Sequence, residues 1–235
     1  MLWFCARPDA SGAEVVSPTG RSQIVVPIAE GSSAPALAGI YTKPQPIDAA
    51  DQRRACGAVF RIGHTGAFVP APLSDFTNAQ PTVDRSIWHG ERSLKSRLAE
   101  AHNPERTLDE LERTLLDALI SDFTIDPAVA AATSMLDEGH RISDVVSSLG
   151  VDRRTFGPRF TRSVGVAPKQ FSRTRRFRRA VRRIRDAGDV PLAELAIDLG
   201  YSDQAHMTRD FREFTGTTPR VAHGVASTSP GHFAA

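Results

Sequence analysis

The chain has 235 residues, 40% hydrophobic and 24% charged, which suits one large or two modest packed domains and excludes disorder by composition. Its 29 Lys+Arg and 27 Asp+Glu leave a net charge of only +2, which at first sight speaks against a polyanionic partner. Two cysteines, Cys5 and Cys56, exclude a disulfide framework and a four-thiolate zinc site. No apolar run approaches ~20 residues, and Met1–Ala6 is too short and lacks the basic start of a signal peptide, so a soluble, cytoplasmic protein without a membrane partner is expected.

Short apolar runs bounded by turn residues predict β-strands at Leu2–Cys5, Ile24–Ile28, Leu37–Tyr41 and Ala55–Ile62, with a turn at Ser17–Gly20. Residues 71–85 read as irregular. Helices follow at 91–101 and 104–121. The second starts with Pro104 and places Leu108, Leu111, Leu115, Leu116 and Leu119 on one face, against its own domain or a partner subunit. Asp126-Pro127 opens a new helix, so a domain boundary is expected at about residues 122–126. The pattern is helical from there to residue 220, and residues 225–235 read as a flexible tail.

The charge divides at the same place. Residues 1–140 carry 12 basic and 18 acidic side chains, a net of −6; residues 141–220 carry 17 and 9, a net of +8. Such an asymmetry points to an acidic domain joined to a nucleic-acid- or membrane-binding one, or to a solvated basic face.

An internal repeat favours nucleic acid. Ile142, Val145, Val146 and Leu149 precede Gly150; Leu192, Leu195, Ala196 and Leu199 precede Gly200, an offset of 50. Each run is a short helix with one buried stripe, ended by glycine. Asp152 and Ser202 are the expected N-caps. Phe156 and Phe160 match Met207 and Phe211, Gly165 matches Gly216 and Pro168 matches Pro219, all at an offset of 51. Helix, glycine turn, helix is a helix-turn-helix, whose second helix fits the DNA major groove. Residues 168–187 read as one connecting helix of ~30 Å, close to one turn of B-DNA. Thr174, Phe177, Val181 and Ile184 form its apolar face. Arg173, Arg175, Arg176, Arg178, Arg179, Arg182, Arg183 and Arg185 surround the rest and are expected on backbone phosphates.

At these residues the sequence resembles the AraC/XylS family of transcription regulators, over about residues 126–224. Pro191–Arg220, "PLAELAIDLGYSDQAHMTRDFREFTGTTPR", is the most specific stretch, with its Gly-Tyr-Ser turn, Arg209-x-Phe211 and Gly216-x-x-Pro219. "SPTGRSQIVV", "LAGIYTKP" and "CGAVFRIGHTGAF" are similar to the N-terminal domain of some actinobacterial-style members. The resemblance implies an α+β chain: a small β-rich, possibly cupin-like N-terminal domain with two helices over 1–122, for regulation, ligand binding or dimerisation, then an all-α DNA-binding domain over 126–224, two helix-turn-helix units joined by a long helix.

The resemblance further implies that Gln204, Ala205, Thr208 and Arg209 face bases, with His206 nearby; Gln pairs with adenine and Arg with guanine. Arg153, Arg154, Gly157 and Pro158 correspond in the first unit, with Thr155 nearby, and Arg162 joins the DNA-binding set. Pro158 stands where an arginine is usual and is expected to kink the helix after its first turn. Arg153 and Arg154 serve bases or phosphate, and Arg209 a base or an ion pair with Asp203 or Asp210.

Other candidates are weaker. His64 reads as an exposed turn residue, His89 and His102 lack a second metal ligand, and no metal or cofactor is expected. Cys5 and Cys56 read as small buried residues, with a redox pair as the alternative. Trp3, Phe4, Phe60 and Trp88 line an effector pocket or belong to the core. The expected function is a sequence-specific regulator bound to double-stranded DNA, as a monomer or homodimer, under a small-molecule effector. The alternatives are an N-terminal domain serving only assembly or polymerase contact, and an enzyme with a DNA-binding tail. No catalytic signature appears, so an enzyme is not expected.

Overall fold

A computed structural model describes residues 1–83, 94–101, 103–187 and 191–221. Six strands come first: β1 (Leu2–Ala6), β2 (Ala13–Val16), β3 (Gln23–Pro27), β4 (Ala36–Ala38), β5 (Gln45–Asp48) and β6 (Arg54–Val59). Helices α1 (Leu94–Glu100) and α2 (Pro104–Asp117) follow. The C-terminal half holds α3 (Pro127–Glu138), α4 (Ile142–Ser148), α5 (Arg153–Val164), α6 (Pro168–Ala187), α7 (Leu192–Asp198) and α8 (Gln204–Thr215). The chain is thus a mixed fold, N-terminal sheets followed by helices. No described helix is long and apolar enough to cross a membrane.

The main sheet is antiparallel in the order β1-β6-β3-β4; β2 and β5 form a separate antiparallel pair. β3 is apolar from Ile24 to Pro27 because both sheet faces are covered. Ile24 and Val26 point into a core with Leu37, Cys56, Ala58 and the α1/α2 residues Leu98, Leu111 and Leu115. Val25 packs on the other face with Ala38, Tyr41 and Trp3. The pair β2–β5 escaped the sequence reading, since Pro46 argues against a strand; a two-stranded ribbon accommodates it at an edge.

The structure corrects several expectations. α2 ends at Asp117, and Leu116 and Leu119 are exposed rather than sharing the buried face of Leu111 and Leu115. The strand expected at Leu37–Tyr41 is the shorter β4, Ala36–Ala38. Cys56 pairs with Phe4 across β1–β6 while Cys5 pairs with Ala55, so neighbouring pairs place the two thiols on opposite sheet faces. An intramolecular redox pair is therefore ruled out by register. Phe4 and Phe60 pack on the main core and Trp3 on the opposite face, so they line no common pocket. His64 is half-buried, its Nδ1 3.1 Å from the Ile62 carbonyl. Trp88, His89, His102, residues 91–93 and the expected tail at 225–235 lie outside the described residues.

The two halves share a boundary layer. Ile40 is buried, and Ile62 partly buried, in the cluster built by α3, α4 and α5. A 3-10 turn at Leu73–Phe76 lies against the end of α5, where Gly165 takes φ +98. The Thr77 hydroxyl donates to the Gly165 carbonyl, and a Cβ on Gly165 would stand 3.2 Å from the Leu73 carbonyl oxygen. Glycine thus ends the helix and admits the N-terminal half.

Candidate nucleic-acid interface

Both helix-turn-helix units are present and built alike. Gly150 and Gly200 leave α4 and α7 with φ +60 and +79. The Asp152 side chain accepts from the Thr155 amide at 3.0 Å, and Asp203 from the His206 amide at 2.6 Å. That bond holds the Asp203 carboxyl below the usual carboxylate range. The second cap is thus Asp203, not Ser202, and the extra residue of the second unit lies in its turn.

α5 buries Phe156, Phe160 and Val164; α8 buries Met207, Phe211 and Phe214. Helical periodicity sends the opposite faces outward. Arg153, Arg154, Thr155 and Pro158 are exposed on α5; Gln204, Ala205, Arg209 and Arg212 are exposed on α8, with Thr208 half-buried. None of the ion pairs among the described residues engages Arg209: Asp210 is taken by Arg173, at 2.7 Å. Arg212 was overlooked in the sequence, although it lies one turn beyond Thr208.

Three expected site residues are placed differently. α5 continues through Pro158 as one helix from Arg153 to Val164. Gly157 explains this, because it offers no Cβ to the proline ring, which normally forces the preceding residue out of helical geometry. His206 is held by the turn: its ring meets Tyr201 edge-on at 5.2 Å, with Nδ1 3.1 Å from the Ser202 hydroxyl and Nε2 3.5 Å from Arg176. Arg162 sits near the end of α5 and lines a cleft of about 220 Å³ with Val69, Leu73, Phe123 and Ile125, away from the capped end.

The largest correction concerns α6. Its arginines were expected on phosphates, yet Arg175 and Arg178 are 2% and 1% exposed. Arg175 grips Asp137 of α3 with bonds of 2.6 and 2.8 Å and donates to the Thr19 carbonyl. Arg179 donates to the Asp137 carbonyl. On the other side Arg173 donates to Asp210 at 2.7 Å and to both oxygens of Glu213. The Arg176 guanidinium lies 4.2 Å over the Tyr201 ring and donates to the Gly200 carbonyl. Phe177 joins Phe211 and Phe214 at 5.0 and 4.9 Å in the core of the second unit. α6 is thus a spacer clamped to both units. A helical wheel assigns every non-apolar face to solvent, so it cannot foresee carboxylates arriving from α3 and α8.

Among the described residues no cluster of His, Cys, Asp and Glu could hold a metal ion.

Residues 145–222 match the family model of a helix-turn-helix domain. Two curated proteins described as AraC-like transcription regulators match the chain: one from Streptomyces antibioticus at 31% identity over 98 residues, one from Streptomyces lividans at 30% over 101. Each match covers 40% of this chain and 32% of the relative, so this chain aligns with only about a third of their length. Among solved structures, the DNA-binding domain of AdpA in complex with a target DNA matches at 26% identity and TM-score 0.37, over 44% of this chain and 93% of that one. ToxT from Vibrio cholerae O395 matches at 10% identity and TM-score 0.49, over 97% of each chain. Residues 145–222 therefore carry a helix-turn-helix domain similar to that of AraC-like transcription regulators.

Proposed function

We propose that this protein is a sequence-specific DNA-binding transcription regulator that carries no enzymatic activity. The observation that carries the reading is the pair of cap-matched helix-turn-helix units, each burying an aromatic stripe and exposing polar side chains at the start of its second helix. α5 and α8 enter successive major grooves, spaced by α6. In the second unit Gln204, Ala205, Thr208 and Arg209 face bases, Arg209 through two bonds to guanine, while His206 braces the turn. In the first, Arg153, Arg154 and Thr155 approach DNA, Pro158 adds only an apolar contact, and Arg162 reaches a phosphate at most.

Residues 1–122 form the regulatory module and 126–224 the DNA-binding domain. The sheets of the first are read as a reduced cupin-like unit, supported by antiparallel order and helices on one face. A small-molecule effector acts through this module, and the shared layer around Ile40, Leu73 and Gly165 transmits its state. Contact with RNA polymerase and a monomeric or dimeric cytoplasmic protein complete the reading.

Selection of bound sequences from a random duplex pool tests it. Two half-sites about one helical turn apart are expected. Arg209→Ala should weaken binding to the selected site by about 1–3 kcal/mol. Equal affinity of the full chain for selected and random duplexes at moderate salt would refute sequence-specific recognition.

A further inference from the structure

The loop Thr19–Arg21 lies against α6. Gly20, at φ +71, lies so close that a Cβ there would stand 3.2 Å from Arg175 Cδ and 3.4 Å from Thr174 Cγ2. Arg175, Arg178 and Arg182 share one face of α6 at i, i+3 and i+7, and this contact brings Arg21 within electrostatic range of that face. Charge balance around Arg21 and Arg182 is poor among the described residues. Asp137 is the one carboxylate, among the described residues, that pairs with any of Arg21, Arg175, Arg179 and Arg182, and Arg175 occupies both of its oxygens. No hydrogen bond or ion pair joins the Arg21 or Arg182 guanidinium among the described residues, and Arg21 Nε is buried without an acceptor. Burial and mutual repulsion push Arg21 and Arg179 below the usual arginine range, and Arg178 down to about 10. An unmatched cation such as Arg21 in a half-buried seam is costly unless an anion joins it.

We propose that the seam between the Thr19–Arg21 loop and α6 binds a small phosphate-bearing anion, held by Arg21 and Arg182 against the Arg175–Asp137 pair. The chemistry fits phosphate rather than a single carboxylate. Two guanidinium forks can supply paired donors, and a dianion offsets both unpaired charges where a monoanion offsets one. Arg21 comes from the N-terminal half and Arg182 from α6, so the bound anion ties that half to the spacer of the two reading helices. This deepens the effector reading above by naming a ligand class, but the site is measured without DNA, so failure of either leaves the other standing.

The test is calorimetric titration of the full chain with inorganic phosphate and pyrophosphate at ionic strength fixed with chloride. Saturable binding is expected. Arg21→Gln and Arg182→Gln should each weaken it about tenfold, while Arg183→Gln, an exposed neighbour, leaves it unchanged. Arg21→Gln should also raise the phosphate-free melting temperature, because it removes an unpaired, half-buried cation; a misfolded variant would not do this. Absence of saturable binding, or unchanged affinity in Arg21→Gln and Arg182→Gln, overturns the proposal. So does a result in which these variants keep phosphate affinity yet lower the salt dependence of DNA binding, since the arginines would then serve the duplex backbone.

Discussion

Asp210 gives the sharpest test of how α8 is held. Its side chain is 2% exposed, accepts from Arg173 at 2.7 Å and lies 3.7 Å from Arg176. Removing one partner of a buried ion pair costs about 3–5 kcal/mol, because the other charge is left stranded. Two features place Asp210→Ala at the lower end, about 3 kcal/mol. Arg173 keeps Glu213, and the second Asp210 oxygen is buried without a hydrogen bond. Glu213 makes more bonds to Arg173 than Asp210 does, yet its side chain is 49% exposed, so Glu213→Ala should cost under about 1 kcal/mol. Urea unfolding followed by far-ultraviolet circular dichroism compares the two. Asp210→Ala should also loosen specific DNA binding, although its carboxylate faces α6 rather than a base. Equal costs, or a cost below about 1 kcal/mol for Asp210→Ala, would refute the argument that burial rather than bond count sets the strength of this clamp.

Gly216→Ala should cost about 1 kcal/mol for the left-handed backbone at φ +75, while Gly165→Ala should cost about 2, because its Cβ also meets the Leu73 carbonyl; thermal melts of the two variants measure the difference, and equality would mean that the N-terminal half is undocked in solution. Burial pushes the Asp137 carboxyl up, but the Arg175 guanidinium pulls it further down, below the usual carboxylate range. A depressed folded value contributes stability that is present at neutral pH and lost as pH falls through it, so wild-type stability should drop as pH falls below the usual carboxylate range, and Asp137→Asn should flatten that drop in acid titrations. Exposed Arg153, Arg154 and Arg212 leave about three cations for phosphates, so log affinity against log salt should slope near about −3; a slope near −10 in fluorescence-anisotropy titrations would mean that the α6 arginines leave their clamps to bind DNA.

The parts legible in the sequence are those set by local periodicity. The apolar stripes of α4, α5, α7 and α8, their glycine turns and the apolar face of α6 follow from spacing alone, and Phe177, Val181 and Ile184 are buried as expected. The strands of the main sheet were readable because β3 and β6 are apolar runs between turn residues. Less legible was whatever depends on which segment meets which. Pro46 hid β5, because whether an edge tolerates proline depends on the partner strand. Ser202 and Asp203 are both good caps, and only the geometry of the longer turn selects the second. Leu116 lies within α2 but on its exposed side, and Leu119 lies past the point where the helix stops, so the leucine pattern overstates the buried face. The clamps of Arg173 and Arg175 reach 37 and 38 residues along the chain, a separation at which no sequence period exists.

The basic character of the C-terminal half therefore has two physical origins. Part of it, on α5 and α8, faces outward at the start of the reading helices. The larger part, on α6, faces inward and fixes the angle and distance between the units. Arginine suits this second task in a way lysine does not: its planar fork holds both oxygens of Asp137 or Glu213 in defined geometry, stacks over Tyr201, and loses less hydration on burial. A helix clamped by Arg175 and Arg179 to α3, and by Arg173 and Arg176 to the second unit, cannot roll without breaking a buried ion pair. Rigidity of the spacer is what makes half-site separation readable, since a mobile spacer would accept several separations with similar affinity. On the proposed function, the arginine excess serves specificity chiefly through geometry and only secondarily through attraction to phosphate.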